Sequence, residues 1–185
     1  MKKFEFTGET KIHFGRTLHR IRALININTG WRIIEAGELG GWVEKESNLS
    51  HDSNAWVCGD AEVYGNAEVY GNALVYGNAE VCGDAKVCGN ALVYGNAEVC
   101  GNAKVCGNAE VCGSTHFLVV GPIGSRKSFT TFFRTKNNKI AVRCGCFFGT
   151  IDEFVKKVGE THGNSKHAVV YRAAVEIAKA HIDVE

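Results

Sequence analysis

One pattern constrains this chain before any other property does. From Ala55 to Ser114 a six-residue unit, Ala-x-Val-x-Gly-[Asn/Asp], runs ten times in succession, with Ser114 in place of the last Asn. Val57, Val63, Val69, Val75, Val81, Val87, Val93, Val99, Val105 and Val111 fall six apart, each with Ala two residues before it. In extended chain, residues two apart share a face, so Ala and Val point inward and the residues between and after them point outward. The Gly-Asn or Gly-Asp pair supplies the corner, because both residues tolerate positive φ. A fixed short period of this kind builds a solenoid, with each coil burying its neighbour.

With three units to a coil, residues 18 apart stack, and the outward positions sort into three faces. One carries Trp56, Leu74 and Leu92 beside Cys58, Tyr76, Tyr94 and Cys112. The second carries Glu62, Glu80 and Glu98 beside Tyr64, Cys82 and Cys100. The third carries Glu68, Lys86 and Lys104 beside Tyr70, Cys88 and Cys106. An apolar ladder on one face of three implies a cover. Trp56, Leu74, Tyr76, Leu92 and Tyr94 are therefore expected to meet a second copy of the chain, as a homodimer or homotrimer, or else the chain's own C-terminal domain.

Six-residue units with an aliphatic residue and a small residue two before it resemble the hexapeptide-repeat proteins. That resemblance covers about a third of the chain and implies a left-handed parallel β-helix with three units to a coil. The strings Phe14-Gly15-Arg16-Thr17-Leu18-His19-Arg20-Ile21-Arg22-Ala23-Leu24 and Gly37-Glu38-Leu39-Gly40-Gly41-Trp42-Val43-Glu44 resemble the opening of bacterial and bacteriophage members, some labelled transferases. For an acyltransferase of that family the resemblance implies an acetyl-CoA site with a histidine at a subunit interface, near loops that break the repeat. This array holds neither a histidine nor a loop: His51 precedes it and His116 follows it. Catalysis is the second reading, and no catalytic residue, metal or cofactor is assigned.

The expected fold class is mainly β: a β-rich cap over residues 1–40, the β-helix over 41–114 and a small α+β domain over 115–185. Counting back by six places Val43 and Leu49 in the phase of Ala55, with an irregular first coil near Gly41. Arg16, Arg20 and Arg22 form a basic string in the cap, read as a solvated face.

After Ser114 the period stops. Phe129–Thr135 and Ile140–Phe148 read as strands joined by Lys136-Asn137-Asn138-Lys139, with Asn137 and Asn138 as a two-residue turn. That register puts Phe129, Thr131, Phe133, Ile140, Val142, Cys144 and Cys146 on a core face, and Thr130, Phe132, Arg134, Arg143 and Gly145 on a polar one. Thr150-Ile151-Asp152-Glu153 is a capping box opening a helix. A second amphipathic helix follows Ser165, with Ala168, Tyr171, Val175, Ala178 and Ile182 on one stripe.

Net charge is +1, so no global field selects a partner. Locally, however, Arg126, Lys127, Arg134, Lys136, Lys139 and Arg143 lie in a stretch with no acidic residue between Thr115 and Ile151. Gly121 to Ser128 lacks the second glycine of a phosphate-binding P-loop and runs into a strand instead of a helix, which excludes nucleotide hydrolysis of that kind. Gly124, Ser125, Arg126, Lys127, Arg134 and Arg143, with Phe132 as a stacking surface, are instead the expected site for a phosphate-bearing ligand such as a nucleotide. A long nucleic acid is disfavoured by so few cations. The leading functional expectation is a non-catalytic oligomeric binding protein or adaptor, and the resemblance to phage-encoded proteins implies a sponge for a host nucleotide signal. A purely structural scaffold is a further reading.

Six of the eight cysteines occupy the repeat position that Tyr takes elsewhere, which reads as outward filler. Cys82 and Cys100, one strand spacing apart, are not expected to form a disulfide. Cys144 and Cys146 with His162 and His167 offer zinc-type ligands, but one residue between the cysteines is too few, and burial is expected for both. No apolar run is long enough to span a bilayer, and a reducing, cytoplasmic setting is expected.

Overall fold

The computed structural model describes residues 1–184. Two strands, β1 (Phe4–His13) and β2 (Arg16–Ala23), form a hairpin, followed by the short pair β3 (Ile27–Asn28) and β4 (Ile33–Ile34) and by β5 (Leu39–Val43). Ten strands of two residues each, β6 (Trp56–Val57) through β15 (Glu110–Val111), occupy the x-Val positions of the repeat. Four longer strands follow, β16 (Phe117–Ile123), β17 (Ser128–Arg134), β18 (Ile140–Cys144) and β19 (Phe147–Thr150), then helices α1 (Ile151–His162) and α2 (Lys166–His181).

The repeats wind into a parallel β-solenoid of about four coils with the expected faces. Trp56, Leu74, Leu92 and Glu110 stack in register on one sheet, Glu62, Glu80 and Glu98 on a second, and Glu68, Lys86 and Lys104 on a third. Every inward Ala and Val of the array is buried. At about 25 cal/mol per Å2 of apolar surface removed from water, this continuous core is the main source of stability. The corners explain the glycines. Gly89 has φ +71°, and a Cβ there would come within 2.7 Å of the Gly107 amide nitrogen one coil away, so neither the torsion nor the space admits a side chain. Beside that corner, Asn54, Asn72, Asn90 and Asn108 form a hydrogen-bonded ladder of side-chain amides.

The first coil differs from the count by six. Trp42 and Val43 pair with Glu62 and Val63, and Leu49 bridges to Val69. Val43 and Leu49 thus lie under valines, not in the phase of Ala55. Two extra residues in the corner between Leu49 and Ala55 account for the shift. The hairpin β1–β2 then extends the sheet of the glutamate face, in the order β1-β2-β5-β7-β10-β13, with β7 (Glu62–Val63), β10 (Glu80–Val81) and β13 (Glu98–Val99).

The C-terminal sheet runs β16-β17-β18-β19, all antiparallel. Its register corrects the sequence reading by one residue. Arg134 pairs with Ile140 and Phe132 with Val142, and the turn is longer than two residues: Thr135 and Lys139 close it, and Asn138 takes φ +53°. A slip of one residue moves one strand's side chains to the opposite face relative to its partner. Phe132 and Val142 therefore face the helices in a core with Phe154, Val158, Tyr171 and Val175. Phe133 and Ala141 point the other way and join the solenoid core. The expected strand Ile140–Phe148 is also two strands, broken at Gly145 and Cys146, and Cys146 is exposed, not buried. The capping box is present, with Thr150 Oγ1 accepting from the Glu153 amide and the Glu153 carboxylate accepting from Thr150 N–H.

Candidate functional site

The hydrogen bonds of the solenoid have a direction, and that direction decides what its ends require. Each coil's amides donate to the carbonyls of the next coil, as in Trp56 N–H to Ala73 O and Cys58 N–H to Val75 O. The first coil is therefore left with spare carbonyls and the last with spare amides.

At the first end the donors are supplied from the N-terminal segment. Trp42 and Glu44 amides bond Ala61 and Val63 carbonyls, and the Asn48 side-chain amide bonds Gly65 and Ala67 carbonyls. Lys3 is 1% exposed, and its ammonium donates to Ser53 O at 2.8 Å and Ala55 O at 2.6 Å. Burial pulls its pKa down to about 7, against a smaller opposing pull from Asp52. The Lys3 amide itself donates to His51 Nδ1 at 3.2 Å.

At the last end acceptors are needed, and the C-terminal domain provides them. Thr131 Oγ1 accepts from Lys104 N–H at 3.0 Å, and His116 Nδ1 accepts from Cys112 N–H at 3.2 Å. Ala109 forms an isolated antiparallel bridge with Thr135, and Phe148 lies against Gly107. Phe133 and Ala141 close the apolar end, with Phe117 and Val119 beside them. The α+β domain is thus an end cap, docked by the face of its sheet that the helices do not cover.

That role disperses the residues expected to hold a phosphate. Phe132 is fully buried beneath the helices and offers no stacking surface. Arg134 and Arg143 sit on opposite faces of the sheet, since Arg134 pairs with Ile140 and Arg143 with Thr131. Arg143 is near the Cys88 and Cys106 thiols, and Arg134 is near His116. Only Ser125, Arg126 and Lys127, exposed in the turn between β16 and β17, remain together, next to half-buried Gly124. In the N-terminal cap each arginine of the basic string has a carboxylate: Arg16 with Glu44, Arg20 with Asp60 and Arg22 with Glu5.

The apolar face is also occupied within a single chain. Trp56, Leu74 and Leu92 are 0%, 4% and 8% exposed. Ile27 and Ile34 of the β3–β4 pair are buried in the same cluster, Arg32 lies near the Cys58 thiol, and Trp31 lines one pocket with Asn90 and Asn108 at the corner. Within a single chain the cover over Trp56, Leu74 and Leu92 is the N-terminal segment and not the C-terminal domain. Its two strands are two residues each, too short to leave a periodicity in the sequence. Tyr76 and Tyr94 remain half-buried and stack with ring centroids 5.2 Å apart.

The cysteines correct a second expectation. Cys82 and Cys100, on neighbouring rungs with Cα atoms 4.5 Å apart, are joined by a disulfide. Cys88 and Cys106, related in the same way on the next face, are free. The Cys106 thiol beside it, with Arg143 and Lys86 nearby, holds the Cys88 thiol below its ordinary pKa against the opposing effect of burial, while the neighbouring Cys88 and burial push Cys106 up. Among the described residues, one group has the composition of a metal centre: His13, Glu62 and Glu80, on the glutamate face where β1 folds over it. Sequence periodicity could show the glutamate ladder but not the histidine, which arrives from a strand 49 positions before Glu62.

Comparison with known proteins agrees with the fold and stops there. No curated protein matches the chain. A family model described as the YdcK beta solenoid repeat matches residues 67–83 and 85–101, each segment close to one coil of the array, and in those two coils the chain is similar to that β-solenoid repeat.

Proposed function

We propose that the chain is a non-catalytic scaffold protein, a rigid solenoid closed by its own two caps, that presents the face of Glu68, Tyr70, Lys86 and Lys104 for binding. One observation carries this reading. The rung-to-rung hydrogen bonds run unbroken from Trp56 to Val111, so no loop leaves the coil to form a cleft, while the caps and the β3–β4 pair spend the other apolar surfaces on internal contacts. The remaining face has Glu68 and Lys86 paired across one rung at 2.9 Å, exposed Lys104 and partly exposed Tyr70. Its mixed charge suits a polar partner surface.

The phosphate-ligand reading keeps a narrower basis, the exposed Arg126 and Lys127 in one tight turn. The hexapeptide-type acyltransferase reading keeps only the resemblance of the repeat. Thermal-shift measurements with acetyl-CoA and with a nucleotide panel separate the three, since a ligand of the native state raises the melting temperature. The scaffold reading expects no shift from either. A shift with a nucleotide that disappears in Arg126→Ala, Lys127→Ala restores the phosphate reading, and a shift with acetyl-CoA restores the transferase.

A further inference from the structure

We propose that His13, Glu62 and Glu80 form a binding site for a divalent transition cation of the zinc, manganese or cobalt class, which ties the N-terminal hairpin to two rungs of the solenoid. The three ligand atoms come from three strands, β1, β7 and β10, and lie within 4.8 Å of one another. His13 Nδ1 is 3.1 Å from Glu62 Oε2, and His13 Nε2 is 3.5 Å from Glu80 Oε2. These contacts are not hydrogen bonds. Glu62 Oε2 and His13 Nε2 are both buried without a hydrogen-bond partner, and Glu62 as a whole is 8% exposed. Buried acceptors left unpaired cost free energy, and a cation between them removes that cost.

The surroundings fit such a role. Glu62 and Glu80 stack in register on adjacent rungs with Glu98 beyond them, a row of like charges whose repulsion needs a counter-charge. Lys11 supplies one, through Glu62 Oε1, and leaves Oε2 free. Tyr64 donates its hydroxyl to Glu80 Oε2 at 2.9 Å, which fixes the carboxylate as outer-shell hydrogen bonds do around bound metals. One imidazole with two carboxylates selects a borderline cation over calcium or magnesium, which prefer all-oxygen sites. His13 and Glu80 side chains are 22% and 26% exposed, so the ion has a path in and a position left for water.

The test is titration of the full chain, stripped with chelator, with cobalt(II), manganese(II) and zinc(II), and with magnesium as the control. We expect one equivalent of cobalt with a d–d spectrum and no thiolate charge-transfer band, and a raised melting temperature. His13→Ala should abolish that binding, Glu80→Gln should weaken it more than Tyr64→Phe, and Tyr64→Phe should weaken it roughly 10–100-fold. Glu98→Gln should bind as the parent does. Melting in chelator shows that each variant is folded. Binding that survives in His13→Ala, a cobalt spectrum with a thiolate band, or no saturable binding with the parent protein folded would overturn the site and leave a purely electrostatic contact between hairpin and solenoid.

Discussion

The two ends of the solenoid pose opposite chemical problems and are closed by opposite means. The first end has spare carbonyls, and the chain brings donors to it: the Trp42 and Glu44 backbone amides, the Asn48 side-chain amide and the Lys3 ammonium. The last end has spare amides, and the chain brings acceptors, the Thr131 hydroxyl and the His116 imidazole. Apolar closure differs as well. At the first end the β1–β2 hairpin continues one sheet of the coil, whereas at the last end a separate sheet lies across the coil with Phe133 and Ala141 inward. A parallel solenoid is polar along its axis, so a cap that fits one end cannot serve the other.

The largest expected effect concerns the surface that both caps leave to β3 and β4. Leu74→Glu with Leu92→Glu buries two charges beneath Ile27 and Ile34, and each should cost about 3–5 kcal/mol. If the cover is intramolecular, sedimentation of the variant that still folds, or of each single substitution, shows the parent mass with a lowered unfolding midpoint. A fall in mass with little loss of stability would instead make this face the subunit interface expected from the sequence.

Smaller effects separate the ends. Thr131→Val keeps the shape but leaves the Lys104 amide without its acceptor, and Lys3→Met removes the donor from two carbonyls. Each should cost about 1–3 kcal/mol in denaturant titration. Equal sensitivity means that the polar closure matters at both ends. Loss at only one would show that water satisfies the other.

Smaller still is a dependence on acid shared by both ends. Burial lowers the pKa of His51 and of His116; Lys3 and Lys2 add to the first shift and Glu46 and Asp52 oppose it, while Arg134 adds to the second and Asp183 opposes it. The folded state therefore binds protons less readily than the unfolded chain at these two positions. Their stabilisation is full above the ordinary histidine pKa of 6.5 and is lost as pH falls from there through the lower folded values. Unfolding midpoints should fall over that acid range, and less steeply in His116→Gln, whose side-chain oxygen can still accept. An unchanged slope would remove His116 from the closure.

Much of this was legible in the sequence, and the failures are instructive. The array announced itself through valine spacing, and the stacking of Trp56 on Leu74 and Glu62 on Glu80 followed from a shift of 18. The two helices were readable from Thr150 and Glu153 and from the stripe at Ala168, Tyr171 and Val175. The faces of β17 and β18 were not, because the turn chemistry of Lys136 to Lys139 permits more than one loop length, and one residue of slip turned Phe132 from a ligand platform into core. The basic residues misled for a related reason. Arg134 and Arg143 are close in sequence, but a strand pair distributes neighbours over two faces. His13 joined Glu62 and Glu80 by tertiary folding alone.

The C-terminal domain closes the last coil, and amide hydrogen exchange tests that closure directly. In the intact protein the Lys104 and Cys112 amides should be protected, although no coil follows them. In Thr131→Val the account predicts faster exchange at Lys104 and its rung, with Trp56 to Val63 at the other end unchanged. Equal protection in parent and variant, or a uniform change along the whole solenoid, would contradict it.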